Sequence, residues 1–203
     1  MPIVDLARRL LALSQTGLHF THGEYDRERY REIADIASAL LAEDSGRDPA
    51  QLRQTWFVED GYSTPKIDVR GAIFRDNRAL LVRESTDGKW TLPGGWADIN
   101  DTPRRAVEKE IEQESGFTAR AEKLAAVYDR NAHGHPAHLF HAWKMFFICD
   151  ITGGEARTSY ETTAVEFFPI DTLPELSTGR STATQIRRMY QHHLDRSLAT
   201  EFD

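Results

Sequence analysis

Between Gly95 and Phe117 the chain reads GWADINDTPRRAVEKEIEQESGF, with carboxylates at helical spacing set directly behind the pair Gly94-Gly95. Glu110 and Glu114 lie four apart with Gln113 between them, so an α-helix stacks these side chains on one face within a single turn. Like charges placed this way repel, by roughly 0.2–0.5 kcal/mol for an isolated pair. A hard cation taking oxygen ligands is the simplest partner that turns this repulsion into attraction. The two glycines let backbone approach a ligand closely and turn a carbonyl oxygen toward a metal. The segment is therefore suited to holding a divalent metal against phosphate. The helix is expected to begin near Thr102 and Pro103, since Pro fits a first turn and Asp101 or Thr102 can cap it. Glu108 and Glu112 fall on other faces and read as solvated charges.

With 203 residues, 40% hydrophobic and 28% charged, the chain is long enough for a substantial core plus an accessory element. A net charge of −7 argues against a broad nucleic-acid footprint, while small anionic ligands stay open because a local metal overrides a global field. No apolar run approaches the ~20 residues of a membrane helix, and Asp5, Arg8 and Arg9 interrupt what would be a signal peptide's apolar segment, so no membrane partner and a cytoplasmic location are expected. The lone Cys149 lies inside an apolar run and reads as a buried, inert thiol.

Two helical segments come first. Leu6, Leu10, Leu11 and Leu13 form an apolar stripe, and Tyr30, Ile33, Ala34, Ala37, Leu40 and Leu41 form another after Asp26 as a cap, with Gly23 in the turn. Two short amphipathic helices cannot hide both stripes alone, so they are expected to pack on the β body or on a second subunit. A linker is expected over 43–64, where Ser45, Gly46, Asp48 and Pro49 break the pattern. This divides the chain into 1–64 and 65–203. Strands are expected at 67–74 and 79–82 around the turn at Asp76-Asn77-Arg78, then at 124–128, 140–151 and 165–168. The strand at 140–151 is apolar on both faces, Phe140, Ala142, Phe146 and Ile148 against Trp143, Met145, Phe147 and Cys149, and must be covered on both sides. The helix expected from Thr102 and a helix at 182–193 can supply the two covers, giving an α/β class, an α/β/α sandwich on a mixed sheet.

The segment at 95–117 resembles the Nudix box, G-x5-E-x7-R-E-U-x-E-E-x-G-U with U apolar. Gly95, Glu110, Ile111, Glu114, Gly116 and Phe117 fall on the pattern, whereas Asp101, Lys109 and Gln113 replace Glu, Arg and Glu. The first two are same-charge replacements at a buttressing ion pair, without the guanidinium fork. Gln113 offers a carbonyl oxygen in place of a carboxylate. The resemblance implies the fold just described, a pyrophosphohydrolase activity dependent on Mg²⁺, with Mn²⁺ as substitute, and metal ligands at Gly94, Glu110, Gln113 and Glu114. It also implies an extra catalytic acid downstream, Glu161, in the loop before the last long strand. Glu166, inside that strand, reads as a surface position. PKIDVRGAIF, LLVRESTDGKWTLPGGWAD, VYDRN and FFPIDTLPELSTGR are together similar to a subgroup with an N-terminal dimerising extension that hydrolyses nucleoside diphosphates linked to a second moiety, CDP-choline and ADP-ribose among them. The implied partners are a small nucleotide substrate and a second copy of the chain. A degenerate module that binds a nucleotide without turnover is the alternative, motivated by Gln113.

Candidate substrate contacts are Gly95 and the arginines Arg83, Arg70 and Arg130, each at or beside a strand; a cross-strand ion pair with Glu84 or Asp68 is the plainer role for Arg83. His133, His135, His138 and His141 have a spacing that can bind zinc, yet Gly134 and Pro136 mark a loop and no Cys lies near, so a rim loop or a solvated loop is the stronger reading.

Overall fold

The computed structural model describes residues 2–45, 48, 51–52 and 61–203, so most of the linker expected at 43–64 lies outside the described residues. The chain forms two compact units, one of 1–65 with 137–141 and one of 66–136 with 142–203.

In the first unit α1 (Ile3–Phe20) and α2 (Glu24–Ser45) are joined through Thr21–Gly23. α2 starts before Asp26, which lies in its first turn instead of capping it. The stripe on α1 also divides. Val4, Ala7, Leu11 and Ser14 are buried, at spacings of three and four, whereas Leu6 and Leu13 are exposed with Ile3 and Phe20 on a second apolar face. Ala34, Ala37 and Leu41 of α2 complete the small core with Leu52, Leu139 and Phe140. Gly17 lets the helices cross closely, because a Cβ there would overlap the Tyr30 ring at 2.3 Å. Phe140 thus serves this core and is not part of a strand.

The second unit holds two sheets. In the first, β1 (Lys66–Ala72) runs parallel to β6 (Ala142–Gly154), β6 antiparallel to β5 (Phe117–Asp129), and β5 parallel to the short β8 (Glu201–Phe202). In the second, β3 (Arg78–Glu84) pairs with β2 (Phe74–Arg75), β4 (Trp90–Thr91) and β7 (Thr162–Pro169). Asp76 and Asn77 both have positive φ, the two-residue hairpin turn that matches strand twist. The first sheet is mixed, as expected, whereas the second is antiparallel throughout, and two helices cover the two apolar faces. Ala106, Val107 and Ile111 of α3 (Pro103–Ser115) pack with Val69, Phe147 and Cys149, and Ile186 and Met189 of α4 (Ala183–Leu194) pack with Ala72, Phe146 and Ile148. Gly71 permits the first contact, since a Cβ there would meet Ile111 Cδ1 at 2.5 Å. Cys149 is buried, and burial pushes its thiol up, as an inert core residue requires. No helix among the described residues is long and apolar enough to cross a membrane.

Candidate active site

The site is built around one loop and one helix. Loop residues 93–97 lie against β1 through Gly71 N–H to the Pro93 carbonyl (2.9 Å), Val69 N–H to Gly95 (2.8 Å) and Ala97 N–H to Ile67 (2.9 Å). These bonds leave the Gly94 carbonyl outside the ladder. Gly94 has φ +143°, and a Cβ there would lie 2.0 Å from the Val69 carbonyl oxygen, so only glycine fits. A Cβ on Gly95 would press on the Glu110 carboxyl at 3.2 Å. α3 follows, with the Thr102 side chain accepting from Arg105 N–H, Pro103 in the first turn and Gly116 at φ +76° closing it. Thr102, not Asp101, is the cap. Asp101 instead joins Asp98 around Lys109, at 3.2 and 2.5 Å, so the buttressing pair forms with a Lys and gains a second acid.

Glu114 is buried and accepts the Gly94 N–H at 2.8 Å through Oε2. Burial pushes its carboxyl up to about 8; the neighbouring charges of Glu84 and Glu110 add to this, and Arg70 and the Gly94 N–H oppose it. Glu110 is half-buried and also raised, by burial and by the charges of Glu161 and Asp98. Glu84, at the end of β3, is 5% exposed and raised by burial, with Asp87 and Glu161 adding and Arg180 and Arg70 opposing. Four acids therefore share one field. Glu161 is exposed, on the loop before β7. Gln113 is exposed on α3.

Glu84 and Arg180 are the members that reading the sequence missed. Arg180 Nε donates to Glu84 at 2.9 Å, and its other nitrogens reach Ser177 Oγ (3.0 Å) and Thr86 Oγ1 (3.1 Å), tying the turn after β3 to the segment before α4. Glu84 shares its phase along β3 with Leu80, which faces α3, so the alternation of LLVRE contains the signal.

The candidate arginines go to three places. Arg70 is 3% exposed and grips Asp68 with two bonds of 2.9 and 2.8 Å, while Nη1 donates to the Leu92 carbonyl. It stands behind the acids as a counter-charge. Arg130, in a short 3-10 turn, is buried and donates to the carbonyls of Pro136 (2.7 Å) and Gly179 (3.3 Å). Arg83 is exposed and bonds the Thr163 hydroxyl at 2.8 Å, not Glu84 or Asp68. Glu108 departs from its solvated reading, because its carboxylate accepts the Ala121 N–H at 2.9 Å beside the register shift in β5. Glu112 and Glu166 are exposed as expected.

The histidines do not converge. His133 stacks on Tyr128 and bonds Asp203, whereas His135 bonds the Thr178 carbonyl at 2.6 Å and Gln185 at 2.9 Å, with burial pulling it down to about 4. His138 and His141 belong to the other unit. Among the described residues no group of three or more His, Cys, Asp or Glu side chains is gathered closely enough to hold an ion alone. The oxygen-only donors around Glu114 fit a hard cation that keeps waters and completes its shell with substrate phosphates.

Residues 64–189 match the NUDIX domain, and residues 1–56 match the UDP-X-like N-terminal oligomerisation domain. The chain belongs to the Nudix hydrolases. This Nudix hydrolase is 41% identical over 200 residues to a putative ADP-ribose pyrophosphatase of Bacillus subtilis, YjhB, covering 98% of this chain and 96% of that protein. A crystal structure of UDP-X diphosphatase matches 99% of this chain and 98% of its own at 33% identity and a TM-score of 0.66. An ADP-ribose pyrophosphatase from Streptococcus suis matches 69% of this Nudix chain and 100% of its own, at 37% identity and a TM-score of 0.64.

Proposed function

We propose that this enzyme hydrolyses the pyrophosphate bond of a nucleoside diphosphate linked to a second moiety, with ADP-ribose, CDP-choline and UDP-linked compounds as the first substrates to try. The observation that carries the reading is Glu114, an acid pushed up by burial and by neighbouring acids on the face of α3 turned to the Gly94 turn. The full-length similarity to proteins named for ADP-ribose and UDP-X supports the substrate class. Glu110, Glu114 and the Gly94 carbonyl would hold Mg²⁺, or Mn²⁺ in its place, with Gln113, exposed on the same helix, as the further ligand the box pattern implies. A bound cation supplies neutralisation of the diphosphate and a water of lowered pKa.

The chain's own residues do the rest. Gly94 N–H fixes the Glu114 carboxylate through Oε2. Gly95 leaves room for the Glu110 carboxylate. Lys109, held by Asp98 and Asp101, keeps the entry to α3 in place. Glu161 takes the proton of the attacking water as its oxygen bonds to phosphorus and the bridging P–O bond breaks. The products are a nucleoside monophosphate and the phosphorylated second moiety. Arg83 is the arginine exposed to contact substrate phosphate, whereas Arg70 and Arg130 would act from within. Residues 1–64 are proposed to pair two chains through the exposed face of Ile3, Leu6, Leu13 and Phe20, and the cytoplasm is kept as the compartment.

The test is a product assay with ADP-ribose, CDP-choline and UDP-sugars, in Mg²⁺ and in Mn²⁺. Release of a nucleoside monophosphate supports the reading. No cleavage of any of them, with nucleotide binding intact, would favour the non-catalytic alternative.

A further inference from the structure

The geometry points to the Thr162 hydroxyl as the positioning group that holds Glu161 against Glu84 and the acids of α3, by capping the C-terminus of that helix. The inference rests on the role given to Glu161 above. A helix leaves its last carbonyls without intrahelical partners. In α3 the Glu112 carbonyl takes the Gly116 N–H (2.9 Å), the Ser115 carbonyl takes the Arg157 N–H (2.9 Å), and the Glu114 carbonyl takes the Thr162 hydroxyl (2.7 Å). Two of these three partners come from the stretch that carries Glu161.

A threonine hydroxyl has one proton and two lone pairs. Its proton goes to the Glu114 carbonyl, so Thr162 Oγ1 accepts both the N–H (3.2 Å) and the O–H (3.1 Å) of Ser159. Ser159 Oγ, having given its proton, accepts the N–H groups of Glu161 (3.1 Å) and Thr162 (3.2 Å). The Glu161 carbonyl takes the Ser85 N–H at 2.8 Å, one residue beyond Glu84, which stands in register with Thr162. Thr162 is 1% exposed, so water cannot replace its bonds. Its hydroxyl joins the backbones of Glu114 and Glu161, whereas the Glu161 side chain is exposed and depends on its loop for its place.

The experiment compares Thr162→Val, Thr162→Ser, Glu161→Gln and the double variant Thr162→Val/Glu161→Gln, with Thr162→Ala in reserve if the valine variant does not fold. Thr162→Val is expected to lower kcat about 10-fold with KM within about twofold, a fraction of the 10²–10⁴-fold range of a lost proton-transfer group. Thr162→Ser retains most of the rate, and the double variant is no slower than Glu161→Gln within about threefold. Without substrate, hydrogen exchange at the Ser85 and Glu161 amides is faster in Thr162→Val than in wild type or Thr162→Ser. Losses that multiply in the double variant, a Thr162→Val rate equal to wild type, a Thr162→Val loss where Glu161→Gln has none, or unchanged exchange at both amides would each overturn the inference. Because exchange needs no turnover, it decides the inference even if the assigned reaction fails, a failure that shows instead as an inactive wild type.

Discussion

Two groups of buried charge meet at Arg70 and are built on opposite principles. On one side Asp68 lies between Arg70 (2.8 Å) and Lys144 (2.7 Å), all three nearly inaccessible. Burial alone would raise the Asp68 carboxyl, but the two cations hold it below the usual range, and burial beside Arg70 brings Lys144 down to about 8. On the other side Glu84, Glu110 and Glu114 all titrate above the usual carboxylate range, with burial the leading cause and other acids adding to it. The first group finds its opposite charges within the chain. In the second only Glu84 has an ion pair, with Arg180 at 2.9 Å, and the negative charge of Glu110 and Glu114 is what a metal ion can resolve.

The comparison breaks most directly at the acids. Glu110→Gln and Glu114→Gln are each expected to lower turnover by about 10²–10⁴-fold while the protein stays folded; full activity in either, measured on a substrate that the wild type cleaves, would remove the mechanism. The opposite pattern is expected at Asp68. Asp68→Asn leaves two buried cations facing each other and should cost about 3–5 kcal/mol of stability, seen as a fall in the denaturation midpoint; an unchanged midpoint would mean that the cluster is not held by its charges.

A pH titration sharpens the contrast. Because Glu114 is raised to about 8 when folded and is ordinary when unfolded, the folded protein binds more protons, and its stability falls as pH rises toward 8. His135, lowered to about 4, works in the opposite sense only below its unfolded pKa near 6.5, and Lys144 does so only above 8. Between pH 6.5 and 8 the metal-free melting temperature should therefore drop, and Glu114→Gln should remove much of that slope. A flat wild-type profile would contradict the assignment. The smallest effect is expected at Gln113. Gln113→Glu should lower the Mg²⁺ concentration for half-maximal rate by a few-fold, roughly the effect of one more anionic ligand; an unmoved titration would mean that another acid already completes the shell.

How much of this was written in the chain differs between the two groups. Glu110, Glu114 and the Gly94-Gly95 turn are readable because helical spacing and glycine chemistry are local. The same holds for the hairpin at Asp76-Asn77 and for the two-sided strand at 146–149. The cluster of Asp68, Arg70 and Lys144 was not readable, because Lys144 comes from a strand 76 positions away and its partner is fixed by the parallel register of β1 and β6. Arg70 looked like a phosphate clamp for want of that partner. The strand holding Glu84 was expected to end at Val82, which hid an acid in phase with Leu80. On α1 the leucines form two faces rather than one stripe, and the choice of buried face depends on Ala34 and Ala37 of α2, which spacing within α1 does not encode.

The account stands on the acids around Glu114 forming a cation site, and Mn²⁺ binding to the substrate-free protein at pH 8, followed by electron paramagnetic resonance, tests this without any assumption about substrate. Saturable binding by the wild type that is weakened at least tenfold in both Glu110→Gln and Glu114→Gln, and retained in Glu166→Gln, is the result predicted. Equal binding by wild type and both box variants would contradict it.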